Sequence, residues 1–270
     1  MAGEPDWVPP EVDTRRANVA RVYDYWLGGS HNFLADQDVA RAIAAVEPNM
    51  RAIARANRAF LGRAVRFLAA AGIRQFLDVG SGIPTEGNVH EVAQQAAPGS
   101  RVAYADVDPV AVAHSKAMLA GNQNATVIQA DAREPEKILA HEAVRRLIDL
   151  GQPAGLLLMV VLHFIADAQD PWRIVAALRD ALAPGSYLVL GHATHEGQPA
   201  VARATETVYN RSVATDLRLR SRAEILRFFD GFELVDPGLV YVPLWRPDSP
   251  GDVPSDPSRF QCLVAVGRKP

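Results

Sequence analysis

The sequence predicts an α/β fold in which a mostly parallel sheet lies between two layers of helices. Three observations predict it. From Arg74 onward, short apolar runs alternate with helix-length amphipathic stretches. Five such alternations in succession require right-handed crossovers, which place helices on the faces of a parallel sheet. The run Leu156 to Leu162 is the most apolar in the chain, as expected of a central strand covered on both faces.

Taken in order, residues 1 to 15 carry Gly3, Pro5, Pro9 and Pro10 and read as a loose arm. Residues 16 to 73 read as a helical cap. Asn18 to Leu27 is a helix ended by Gly28-Gly29, Asp36 to Val46 a second, and Asn49 to Ala71 a third. Ile53, Ala56, Phe60, Ala64, Phe67 and Leu68 give the third helix one apolar face. Residues 74 to 270 form the sheet domain. Its strands are Gln75 to Val79, Val102 to Ala105, Thr126 to Gln129, Leu156 to Leu162 and Tyr187 to Leu190. Helices lie at Asn88 to Ala97, Pro109 to Ala120, within Glu134 to Leu150, and from Pro171, which Asp170 caps. Ala200 to Val213 and Arg222 to Phe229 are helical. Phe232 to Val242 and Gln261 to Val266 follow each other without a helix, so they form an antiparallel pair at one edge.

Composition narrows the function. A net charge of −3 gives no general basic surface, which argues against a bulk nucleic-acid role. The acidic, proline-containing start is not a signal peptide, and a seven-residue apolar run is far short of the about 20 a membrane helix needs. A soluble, cytoplasmic protein is expected. The lone Cys262 sits in an apolar strand and reads as a buried thiol. No His/Cys cluster has zinc spacing, so no metal is expected.

Ligands of open parallel sheets bind beyond the carboxyl ends of the strands. The first strand ends in FLDVGSGIPT, where Gly80 and Gly82 permit a tight turn and close backbone approach to a ligand. A third glycine of the dinucleotide pattern is missing, because position 85 is Thr85. The second strand ends in YADVDP. Asp106 lies 24 residues past Gly82, near the spacing at which a carboxylate grips a ribose diol, and Asp108 reads as the cap of the next helix. The third strand ends in ADAREP, where Asp131 suits an exocyclic adenine amine and the Ala132 N–H a ring nitrogen. Each could instead be a turn or cap residue. Three in order at successive strand ends are stronger than any one.

FLDVGSGIPT, YADVDPVAVAHSK and ADAREP resemble the first three motifs of class I S-adenosylmethionine-dependent methyltransferases. RVYDYWLGGSHNFLADQ, LLLMVVLHFIAD and ALAPGSYLVLGHAT extend the resemblance over nearly the whole chain. They resemble the actinobacterial S-adenosyl methyltransferase family, formerly a domain of unknown function. The resemblance implies a Rossmann-like sheet of seven strands with an antiparallel last strand, and S-adenosyl-L-methionine as cofactor. It implies that Gly80, Ser81 and Gly82 lie against the methionine part, with Asp78 near its amino group. Asp106 and its neighbour Val107 would line the ribose site, Asp131 and Ala132 the adenine site. His163 would border the methyl-transfer site.

Further residues are candidates on their own pattern. Tyr25, Gly29 and Asn32, in an aromatic helix end followed by a polar loop, are read as a lid; the competing reading is core. His163 and His192 follow neighbouring strands at one sheet end and are candidate general bases, unless backbone groups satisfy them. The arginines around Arg218, Arg220 and Arg222 suit either an acidic substrate or a solvated face. The expected activity is methyl transfer to a small molecule, with homo-oligomerisation left open. The rivals are an NAD(P)-dependent oxidoreductase, a non-catalytic S-adenosylmethionine-binding module and, more weakly, a nucleic-acid methyltransferase. Against the last, LHFI stands after the central strand in place of an N/D-P-P-Y/W motif.

Overall fold

The sheet grows outward from Gln75–Val79 (β1), every residue of which is buried. A computed structural model describes residues 8–10, 12–85 and 87–270. β1 pairs in parallel with Arg101–Asp106 (β2) and Gly155–Met159 (β4). Ala125–Gln129 (β3) and Tyr187–Ala193 (β5) extend the parallel sheet on the two sides. Cys262–Arg268 (β8) lies antiparallel beside β5. Glu233–Leu234 (β6) and Val240–Tyr241 (β7) both pair with β8, giving the order β3-β2-β1-β4-β5-β8-β6 with β7 also on β8. The single strand expected over Phe232 to Val242 is thus interrupted between Leu234 and Val240. Among the described residues, that interruption makes eight strands of the expected seven.

The apolar run after Gly155 does not stay extended to Leu162. β4 stops at Met159, Val160 takes φ 51, and Leu162–Phe164 form a short 3-10 turn. A β-branched residue with positive φ is strained. Here it re-aims the chain across the carboxyl end of the sheet, while the Val160 N–H still reaches the Gly191 carbonyl at 2.9 Å.

Two apolar layers sandwich the sheet. On one face, Met50–Ala70 (α3) sets Phe60, Leu61, Ala64, Val65 and Leu68 against Phe76, Val102, Leu157 and Val189. Val89–Ala96 (α4) and Pro109–Met118 (α5) complete that face. On the other, Pro135–Ala140 (α6), Glu142–Leu147 (α7), Pro171–Ala181 (α8) and Arg222–Leu226 (α10) cover Leu77, Val79, Leu156 and Leu158. A third apolar cluster is separate. Val22 and Trp26 of Val19–Leu27 (α1) and Val39, Ala40 and Ile43 of Leu34–Val46 (α2) pack on Tyr209 of Pro199–Ser212 (α9).

The cap therefore differs from the stretch 16 to 73. Most of α3 belongs to the sheet sandwich, and α9, from far along the chain, joins α1 and α2. Of the expected arm, residues 1–7 and 11 lie outside the described residues. Val12 already packs against Ile83, Val110 and Ala111. Among the described residues, no helix is long and apolar enough to cross a membrane.

Candidate functional site

The carboxyl ends of β1 to β5 open into one cavity of about 300 Å³, roofed by α1, the start of α3 and α9. It lies where the strand order reverses between β1 and β4, the switch point at which α/β sheets bind ligands. Asp78, Gly80, Ser81, Gly82, Asp106, Val107, Asp131, Ala132 and His163 all line it. The structure thus brings together every expected cofactor-side residue.

The loop after β1 is held to β2 by its backbone. The Gly80 N–H donates to the Ala105 carbonyl at 2.8 Å, and the Gly82 N–H to Asp106 Oδ2 at 2.7 Å. Gly80 has φ 75, and a Cβ there would lie 2.4 Å from Val161 Cγ2. Only glycine meets both conditions. Asp106 Oδ1 accepts from the Asp108 N–H at 2.8 Å, so this carboxylate organises the loops around it and keeps further lone pairs for a diol. Burial raises its pKa to about 6, against the Asp108 and Gly82 N–H groups. Asp108 caps α5, accepting from Val110 and Ala111.

Asp131 is less free than the sequence suggests. Arg133 Nε lies 2.9 Å from both its oxygens, and this pairing holds the carboxyl below its ordinary range. An adenine amine would share Asp131 with that guanidinium.

On the α3 side, burial pushes Asp78 up to about 7; the Arg58 guanidinium opposes this and Asp106 adds to it. Arg58 hangs by Nη2 on Asn88 Oδ1 at 3.3 Å, and its Nε has no partner. Ser81 Oγ, Asn57 Oδ1, Asp24 Oδ1 and Thr205 Oγ1 are also buried without hydrogen-bond partners, and all five of these residues line the cavity. Unpaired buried polar atoms cost about 1–3 kcal/mol each. Arg58 and Ser81, beside the glycine cradle and Asp78, fit a polar ligand that carries ammonium, carboxylate and hydroxyl groups, which leaves Asn57 and Thr205 for a second occupant.

Arg58, Asn57, Asp24 and Thr205 escaped the sequence reading. Asn57 had a legible signal: it lies one turn after Ile53 on the apolar face of α3, where a polar residue breaks the stripe.

The histidines need correction as general bases. His192 is fully buried and outside the cavity lining. Its Nδ1 donates to the Ala193 carbonyl at 2.7 Å and its Nε2 accepts from Arg220 at 2.8 Å. Burial lowers its pKa to about 3, so it is a neutral structural link. His163 does line the cavity. Its Nδ1 accepts from the Ala193 N–H at 3.3 Å, so its proton sits on Nε2 and its lone pair is spent. Burial, with His192 and Arg220, holds it well below the ordinary histidine value. It borders the site as a neutral imidazole.

The lid residues need the same treatment. Tyr25, Gly29 and Asn32 do not line the cavity; α1 and its cap turn other residues toward it, Asn18, Tyr23, Asp24, Trp26 and Leu27 among them. Tyr25 instead faces Arg51, with the guanidinium 5.4 Å from the ring centre. Asn32 donates to Asp24 Oδ2 at 2.8 Å. Gly29 makes room, since a Cβ there would lie 1.9 Å from Asp24 Oδ1. The helix roofs the cavity, but with a different face.

A buried ion group fastens that roof. Arg21 Nε lies 3.5 Å from Asp36 Oδ1 and 3.9 Å from Asp108 Oδ2. Asp36 also accepts from the Asn18 and Phe33 N–H groups at 2.8 Å. Arg220 likewise fits neither sequence reading. It is buried and donates to the Leu162 and Ile165 carbonyls and to Asp167, pinning the loop after β4. Cys262 is a buried strand thiol whose pKa burial raises to about 12. Among the described residues, no group of three or more His, Cys, Asp or Glu is placed to hold a metal ion.

Residues 5–270 match a family model described as S-adenosyl methyltransferase. A candidate methyltransferase from Thermobifida fusca YX is 44% identical, with TM-score 0.91 over 98% of this chain and 99% of that one. A DUF574 family protein from Streptomyces avermitilis MA-4680 is 39% identical, with TM-score 0.92 over 96% and 99%. The N-methyltransferase NodS from Bradyrhizobium japonicum WM9, in complex with S-adenosyl-L-homocysteine, is 17% identical with TM-score 0.50 over 87% and 97%, a likeness of fold. No curated protein sequence matches the chain.

Proposed function

We propose, from the premise that this chain belongs to the S-adenosyl methyltransferase family, that it methylates a small molecule enclosed between the cap and the sheet. The activity is S-adenosylmethionine-dependent methyl transfer, and the dinucleotide oxidoreductase alternative falls with that assignment. One observation carries the small-molecule reading. The cofactor-side residues and the apolar residues of the cap side line a single cavity, Tyr23, Phe164, Tyr209 and Phe260 among them. A cavity of about 300 Å³ suits a small ligand rather than a polymer. We place the protein in the cytoplasm and in the actinobacterial branch of its family.

In this reading Asp106 takes the ribose hydroxyls, Asp78 the methionine ammonium and Arg58 its carboxylate. Ser81 and the backbone of Gly80 to Gly82 line the methionine chain, and Val107, Asp131 and Ala132 the adenosine end. Bound there, S-adenosylmethionine supplies a methyl group already electrophilic on its sulfonium. The protein's part is alignment and exclusion of water, which explains why the site needs no free general base. The test is calorimetric titration with S-adenosylmethionine, S-adenosylhomocysteine and NAD(H), with Asp106→Ala alongside. Binding of the two adenosyl ligands alone, weakened about tenfold or more in the variant, is the expected result. Unchanged affinity in Asp106→Ala would overturn the ribose assignment. Turnover on an identified acceptor separates an enzyme from a binding module.

A further inference from the structure

The cap side of the cavity has its own chemistry. Its walls are apolar or aromatic: Tyr23, Ile53, Phe164, Tyr209, Leu217 and Phe260. Phe164 and Tyr209 lie with ring centres 5.6 Å apart, which makes part of that wall flat. Asn57 and Thr205 interrupt it; Asn57 is 4% exposed, and its carbonyl oxygen, like Thr205 Oγ1, has no partner.

The neighbouring tyrosine fixes the orientation of that amide. The Tyr23 hydroxyl donates its proton to the Ala54 carbonyl at 3.1 Å. Its oxygen can then only accept, and the Asn57 N–H bonds to it. Asn57 Oδ1 is therefore the free atom, an acceptor that calls for a donor on the ligand.

Charge and proton traffic narrow that donor. The cations lining the cavity, among the described residues, are Arg58 and Arg133; the first lies beside Asp78 and the second is paired with Asp131. Asp24 and Glu47 add negative charge to the same walls. An anionic acceptor would meet no free counter-charge. A hydroxyl acceptor must lose its proton, and the walls offer little to take it. The His163 lone pair is spent on Ala193, and Glu47 is already occupied by Asn49 and Gln261. Asp24 Oδ2 is bonded to His31 and Asn32, and its Oδ1 is packed against Gly29, where a Cβ would lie 1.9 Å from it.

We infer that the methyl acceptor is a small, flat amine, uncharged when it binds, whose N–H is received by Asn57 Oδ1. The inference rests on the methyltransferase reading. The amine nitrogen forms the N–C bond with its own lone pair, and the electron pair of the broken C–S bond stays on sulfur. The product nitrogen carries the positive charge and keeps its protons until release, so no side chain has to act as base. The Asn57 acceptor orients the lone pair by holding the N–H.

The test uses three para-substituted toluenes of one shape: para-toluidine, para-cresol and para-toluate. Each is titrated into the protein saturated with S-adenosylhomocysteine, and each is incubated with S-adenosylmethionine while release of S-adenosylhomocysteine is followed. Toluidine should bind at least about tenfold more tightly than toluate, and it alone should be methylated. Asn57→Leu should weaken toluidine binding by about fivefold or more, and Asn57→Asp, which keeps an acceptor there, should restore it. Failure of S-adenosylhomocysteine itself to bind would remove the parent reading. With that ligand bound, equal affinity for toluate, equal turnover of cresol, no binding of any of the three, or no rescue by Asn57→Asp would each overturn the amine inference and leave the parent reading standing.

Discussion

Replacing Gly80 and Gly82 separately by alanine measures how tightly the loop after β1 is built. Both glycines have positive φ, 75 and 69. An L-residue there pays about 1–2 kcal/mol in backbone strain. Their surroundings differ. A Cβ on Gly82 would have nothing within 4 Å, whereas one on Gly80 would lie 2.4 Å from Val161 Cγ2 and 2.7 Å from Val161 Cβ. Val161 follows the strained Val160 and cannot retreat without moving the chain that leaves β4. Overpacking of this kind costs a further ~1–3 kcal/mol. Gly80→Ala should therefore destabilise by about 2–5 kcal/mol and Gly82→Ala by about 1–2 kcal/mol. Denaturant unfolding monitored by circular dichroism gives both values. Val161→Ala in the Gly80→Ala background should recover most of the difference, seen as a coupling energy in the double-mutant cycle. Equal losses in the two single variants, or no coupling with Val161, would refute the reasoning.

Other outcomes follow from the buried charges. Asp78, raised to about 7 from 3.8, is largely protonated at pH 6, and the methionine ammonium would favour its ionised form. Cofactor binding should release protons near pH 6.5 and tighten as pH rises from 5 to 7, by up to about tenfold per unit. Calorimetry in buffers of different ionisation enthalpy reads this directly, and a buffer-independent enthalpy would contradict it. For the ligand-free protein the sign is opposite. Asp78 and Asp106 ionise near 3.8 when unfolded but only near 7 and 6 when folded, so these two groups take stability away as pH rises from about 4 to 7, while the buried neutral His163 and His192 add it. Asp78→Asn should therefore gain melting temperature relative to the parent as pH rises over this range, and a difference that stays flat would be inconsistent with the Asp78 assignment. Arg21→Met should cost about 3–5 kcal/mol by stranding Asp36 and Asp108. Proteolysis should then cut first within α1 or α2; first cleavage within the sheet would count against a fastening role.

The sheet was legible because its signals are local. β1 to β5 each show an apolar run closed by a turn, and the carboxylates Asp106 and Asp131 stand at strand ends where topology alone brings them together. What was missed depends on contacts that no short window contains. Tyr23 meets Asn57 across two helices, and α9 joins the cap through Tyr209 from more than half the chain away. His192 looked equivalent to His163 because both follow a central strand. In the fold His163 lines the cavity, while His192 lies outside it with its Nε2 occupied by Arg220. Tyr25 and Tyr23 differ by two residues, which on a helix turns them to different sides.

The separate apolar cluster of α1, α2 and α9 has a kinetic consequence. Its members touch one another and, through Met50 and Ala54, the start of α3, so it can part as a unit by opening that one apolar seam. Whatever is enclosed beneath it escapes at the rate at which that unit opens. Residence time, and with it the turnover ceiling, is then set by Trp26 and Tyr209 rather than by any group near the transferred methyl. Amide hydrogens of α1 and α9 would exchange together, and ligands would slow both to the same extent.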